Sequence, residues 1–128
     1  MKKFIFTFFL VFIVLSGCSK NEFTQKQDQA IELLKKGDYM GSHKILDTLS
    51  KDSPDDSVHE DAVSTEMFGN AILLYERNKE SKPDERKEAE EEAIKQVNIA
   101  VARAKHSEIK KILEEKSKEF KKQISNNQ

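Results

Sequence analysis

The chain has 128 residues, a length suited to one small domain, with 22 Lys and Arg against 23 Asp and Glu. So even a balance leaves no electrostatic footprint for DNA or RNA and no pull by charge alone toward anionic lipid headgroups. There is no Trp, and five of the eight Phe (Phe4, Phe6, Phe8, Phe9 and Phe12) crowd the first twelve positions. The rest must build its core mostly from Leu, Ile, Val, Ala and Met, which suits helices better than sheets.

Lys2 and Lys3 form a positive start, and Phe4 to Leu15 follows as a 12-residue run holding one polar residue, Thr7, and no charge. That is the length of a signal-peptide apolar region, too short to span a bilayer core of ~30 Å as a helix. It ends in Leu15-Ser16-Gly17-Cys18. A Leu, two small residues and a Cys directly after an apolar run resemble the signal of bacterial lipoproteins. The resemblance implies a diacylglyceryl group on the Cys18 sulfur, cleavage between Gly17 and Cys18, and possible acylation of the new amino group by a fatty acid such as palmitate. Two or three acyl chains, at about 0.8 kcal/mol per buried CH₂, hold a protein stably where one does not. Cys18 is the only Cys, so it has no disulfide partner within the chain.

Residues 1–17 thus read as a cleaved signal, 18–23 as a lipid-anchored polar tether, 24–124 as a single helical domain and 125–128 as a disordered tail. Processing would leave 111 residues with 20 basic and 23 acidic side chains. The expected location is the extracytoplasmic face of the cell membrane. Abundant Lys, Asn and Ile suggest an AT-rich genome and a Gram-positive host.

In the mature chain no stretch alternates as a strand would, and helix signals are dense. Thr24-x-x-Gln27 is a capping-box pattern opening a first helix, with Ala30, Ile31, Leu33 and Leu34 on its apolar face and Gly37 as its stop. Asp38 can cap a second helix running to about Lys51, with Tyr39, Met40, Ile45, Leu46 and Leu49 as core candidates. Asp52 to Asp56, with Pro54, is a loop. Ser57-x-x-Glu60 repeats the capping pattern before a third helix whose Val63, Met67, Phe68, Ala71, Ile72, Leu74 and Tyr75 recur at three- and four-residue steps. Asn78 to Lys82 is polar, and Pro83 fits a first helical turn.

From Asp84 the pattern stays helical almost to Ile124, acidic at its start and basic at its end, as the helix dipole favours. Its small-residue stripe (Ala89, Ala93, Val97, Ala100, Val101, Ala104) is out of phase with Ile109, Ile112, Leu113, Phe120 and Ile124. A break at Lys105-His106-Ser107 follows, with Ser107 as a cap. The sparse apolar content after Lys105 predicts a final segment that packs loosely and extends as a solvated or partner-seeking helix.

Gly37-Asp38-Tyr39, the small Ser42, the large apolar Leu46 and the closing Pro54 give residues 23–56 a resemblance to one tetratricopeptide repeat. The resemblance implies an antiparallel helical hairpin and a groove that binds peptide or protein. Lys26 and Ala30 stand where the repeat's early aromatic and Gly would fall. Ala71-Ile72-Leu73 stands where a second corner would recur.

No pattern names a reaction. His43, His59 and His106 fall in three separate helices without the convergence a zinc site needs, and read as solvated surface residues. The acidic loop Asp52, Asp55, Asp56 lacks the alternating ligands of an EF-hand. Glu90-Glu91-Glu92 reads as a solvated helix face. No phosphate-binding loop or nucleophile elbow is present. The reading is an all-α fold of about four helices, with no catalytic, cofactor or metal residues and no small-molecule substrate. Its expected activity is contact between a membrane-anchored module and another envelope protein. The alternative is an exclusion or immunity lipoprotein of a mobile element or phage that blocks a partner at the cell surface.

Overall fold

The computed structural model describes residues 19–128, with side chains from Glu22 onward; the signal segment, Gly17 and Cys18 lie outside the described residues. Among these, every regular element is helical: α1 (Ser19–Lys35), α2 (Tyr39–Asp52), α3 (Asp56–Asn78), α4 (Pro83–Arg103) and α5 (Ser107–Asn126). The all-α class holds. Among the described residues there are five helices rather than about four, because the break expected after Arg103 fully separates α4 from α5.

Helix α1 begins at Ser19, five residues before the expected start at Thr24, so residues 19–23 are helical rather than a separate tether. They contain neither Gly nor Pro, and a capping pattern does not start a helix that is already running. The first buried side chain of α1 is nevertheless Ala30, followed by Ile31 and Leu34.

Gly37 ends α1 as expected. Its φ of +81° permits a Schellman turn in which the Gly37 and Asp38 amides donate to Leu34 and Leu33 carbonyls at 3.0 and 2.9 Å. Asp38 then caps α2, accepting the Gly41 amide at 3.0 Å. The cap of α3 is Asp55, which accepts the Ser57 amide at 2.9 Å, and the expected Ser57 lies inside the helix. Pro83 opens α4. The cap of α5 is His106, whose Nδ1 accepts the Glu108 amide at 3.3 Å, in place of the expected Ser107. In both corrected cases an acceptor just outside the helix wins over one already within it.

Helices α1 to α4 pack in succession, and α5 crosses back to α4, α1 and α3. One core joins all five: Leu34, Leu46, Phe68, Tyr75, Val97, Ile109 and Leu113 are among its most deeply buried members. Each such large apolar side chain contributes roughly 1.5–3 kcal/mol by leaving water. The small Ser42 lets α2 approach α1, and its hydroxyl donates to the Ala30 carbonyl at 2.7 Å. Gly69 does the same for α3 and α2: a Cβ there would stand 2.8 Å from Tyr39 Cβ. Met40, a core candidate, is instead 38% exposed.

The expectation of a loose final segment is overturned. Ile109, Ile112, Leu113, Phe120 and Ile124 are all buried, and Phe120 stacks edge-on against Tyr75 with ring centroids 5.3 Å apart. The tail is also held: Asn127 Nδ2 donates to Tyr75 Oη at 2.8 Å, and Gln128 Nε2 donates to Glu90 at 3.1 Å. The many Lys and Glu of α5 share its outer face, so their number says little about how well the inner face packs.

Candidate functional site

Charged side chains that the sequence reading left to solvent serve as joints. Asp61, 1% exposed, accepts the backbone amides of Lys105 and His106 at 2.7 and 3.1 Å, fixing the turn between α4 and α5. Burial pushes its carboxyl above the ordinary 3.8, more than those two amides pull it down. Its neighbour Glu60, expected in a capping box, forms a forked pair with Arg103, 2.9 Å from Nε and 3.3 Å from the terminal nitrogen. Arg103's hydrogen bond holds the Glu60 carboxyl below its ordinary range. Glu90 is buried beside Arg86 and Gln128, contrary to the solvated face expected of it.

The three His are not equivalent surface residues. His43 is half-buried and its Nδ1 donates to the Ala62 carbonyl at 2.8 Å; His59 is exposed; His106 lies in the α4–α5 connection. Asp55 of the acidic loop serves the α3 cap, and the Ser57 hydrogen bonds lower its pKa. Among the described residues no three His, Cys, Asp or Glu converge as metal ligands, and no buried side-chain nitrogen or oxygen lacks a hydrogen-bond partner. No described helix is long and apolar enough to cross a membrane.

What the folded domain offers outward is a set of grooves. The one between α3 and α4 encloses about 410 Å³ and is lined by Val63, Glu66, Met67, Asn70, Ala71 and Leu74 of α3 with Glu92 and Gln96 of α4. Four apolar residues floor it, and its polar rim contains two carboxylates and no Lys or Arg. It lies between the α3 row and the Glu92–Gln96 edge of α4.

A second groove, between α1 and α2, encloses about 570 Å³. It is lined by Gln25, Asp28, Gln29, Glu32, Leu33, Lys36 and Ile45, and has only two apolar members. The α1–α5 cleft is bridged by Lys35 and Glu108 at 3.5 Å, and its lining mixes both charges. Nearby, burial and then the charge of Glu119 push the Tyr39 hydroxyl up to about 12. Of the three, the α3–α4 groove is lined by the most apolar residues and has a rim of one sign.

The helical period of Val63, Met67, Ala71 and Leu74 was legible in the sequence, but as core. That α4 would leave this row half-open could not be read without knowing the packing. No protein family, curated protein or solved structure matches the chain.

Proposed function

We propose that the chain is a lipid-anchored, non-catalytic docking module. Cys18 holds it to the outer face of the cell membrane, and the α3–α4 groove meets a segment of another envelope protein. The observation that carries the docking half is the groove's floor: Val63, Met67 and Leu74 remain only partly covered in a domain that buries twenty other apolar residues. Large apolar side chains aligned in a trough and rimmed by polar groups are the usual form of a peptide-binding surface.

The tetratricopeptide-like reading of residues 23–56 belongs to this proposal. It is supported by the left-handed Gly37 corner and by Ser42 seated against the Ala30 carbonyl. The Cys18 anchor rests on the lipoprotein-like Leu15-Ser16-Gly17-Cys18 motif.

Site-specific photo-crosslinking in intact cells tests the proposal. A crosslinker at Asn70, on the groove rim, is expected to capture one discrete envelope protein, and one at His59, on the exposed side of α3, to capture none. Equal, diffuse capture from both positions would count against a docking face.

A further inference from the structure

We infer that the α3–α4 groove takes a cationic amphipathic helix of a partner protein, an inference that rests on the docking reading above. Its apolar side chains would lie on Met67 and Leu74, with Lys or Arg against the acidic edge of α4. That edge extends beyond the groove lining. Glu85, Glu88 and Glu92 follow one another at steps of three and four, so they form one row along α4, and Glu92 of that row lines the groove. Glu85 and Glu88 are exposed and form no ion pair among the described residues; Glu92 accepts only the Gln96 amide, at 2.8 Å. Glu66 adds a fourth carboxylate on the opposite rim. Of the exposed cations on α3, α4 and their junction (Arg77, Lys79, Lys82, Lys87 and Lys95), none lines the groove.

Three unpaired or weakly paired carboxylates in a row repel one another and are relieved by a ligand of opposite sign. From Val63 to Leu74 the trough runs ~16 Å, the length of about eleven helical residues. Its apolar floor repeats at helical steps, which an incoming helix can match side chain for side chain.

The other occupants fit poorly. Among the described residues, α5, the Lys-rich helix, offers a second copy no free cationic amphipathic face, because it buries Ile109, Ile112, Leu113, Phe120 and Ile124 inside its own domain. An anionic bilayer surface would be repelled by the acidic edge.

The test uses the full chain in non-ionic detergent with methyl-labelled methionines, where Met67 reports on the groove and Met40 on the surface outside it. The probe is a Leu/Ala/Lys helical peptide of about 14 residues, with a twin carrying Glu for Lys. The Lys peptide is expected to shift the Met67 methyl, to leave Met40 unmoved and to weaken with added salt. The combined Glu85→Gln, Glu88→Gln, Glu92→Gln variant alters only exposed or rim side chains. It should keep its helical circular dichroism and bind the Lys peptide about tenfold or more weakly, each tenfold being 1.4 kcal/mol.

Equal binding of the twin, unchanged binding by the variant, or a response confined to Met40 would overturn the inference. So would concentration-dependent self-association mapped to Met67. Crosslinkers at Asn70 and Leu33 in cells then separate the two levels. A discrete adduct from Leu33 alone leaves docking standing and removes this groove. No adduct from either position removes both. An adduct from Asn70 that the triple variant loses supports both.

Discussion

Asp61 and Lys105 are 44 positions apart in the chain and 2.7 Å apart in space, the buried carboxylate of one accepting the backbone amide of the other. Because His106 donates to the same side chain, one residue of α3 satisfies two consecutive amides of the turn that launches α5. Replacing it with Ala leaves both amides without their acceptor and should cost about 1–3 kcal/mol. Asn keeps an oxygen for both amides and removes the buried charge. Burial raises the Asp61 pKa above 3.8, so the ionised form is held less favourably folded than unfolded. This penalty is absent below pH 3.8 and develops as pH rises through the folded pKa. Asp61→Asn should therefore equal or exceed the parent in stability near pH 7, with the difference closing on acidification. Urea titrations of both variants across pH check the two signs; loss of stability in Asn as large as in Ala would contradict them.

Glu60 responds in the opposite sense. Its pKa is lowered from 4.5 by Arg103, so the pair's contribution is complete above 4.5 and is lost as pH falls through the folded value. Arg103→Lys retains the charge but not the fork, and should lower the melting temperature less than Arg103→Ala does. Both differences should shrink in acid and in high salt, because the pair is partly solvated. Differential scanning at several pH values measures this.

Gly69 lies in mid-helix, where Ala would ordinarily stabilise by up to about 1 kcal/mol. Here the added methyl would meet Tyr39 Cβ at 2.8 Å, and neither group can swing away. Gly69→Ala should instead destabilise by about 1–3 kcal/mol, since α2 and α3 must separate. Chemical denaturation gives the sign directly.

Phe120 tests whether α5 belongs to the core. It is 4% exposed and packed on Tyr75, so Phe120→Ala should cost about 3–5 kcal/mol. In the parent, amides from Ile109 to Phe120 should exchange as slowly as those of Leu46–Leu49. Early exchange throughout α5 would restore the loosely packed tail expected from sequence.

Cys18 carries the anchoring proposal. Cells fed a fatty-acid analogue should label the parent protein and not Cys18→Ser, which should persist as uncut precursor or be processed elsewhere. Label retained by Cys18→Ser would end the lipoprotein reading.

The helices themselves were legible because local signals fix them. Gly37 admits a left-handed turn, Asp38 offers an acceptor, and Pro83 fits a first turn. What local pattern could not reveal was long-range use of polar residues. Ser57-x-x-Glu60 matches a capping box, yet Asp55 does the capping and Glu60 reaches Arg103, 43 positions away. Composition misled at α5, where five apolar residues on one face suffice for burial however many Lys occupy the other. The groove was illegible for a related reason: its floor has the same period as a core stripe, and only the packing of α4 on α3 decides which part of that stripe is covered.

The early start of α1 changes how the domain would stand on a membrane. From Ser19 to Gln29 the helix runs ~16 Å without fully burying a described side chain. Phe23, Lys26 and Gln27 are only partly covered, α1 begins to flank α2 at Gln25, and the first fully buried residue is Ala30. Under the lipid-anchor proposal this is a stiff post in place of a flexible leash. It would hold the body at a set height and limit its tilt, so that the α3–α4 groove sweeps a narrow shell above the bilayer. A partner would then have to present its segment at that height, which makes position along the membrane normal a determinant of who can bind.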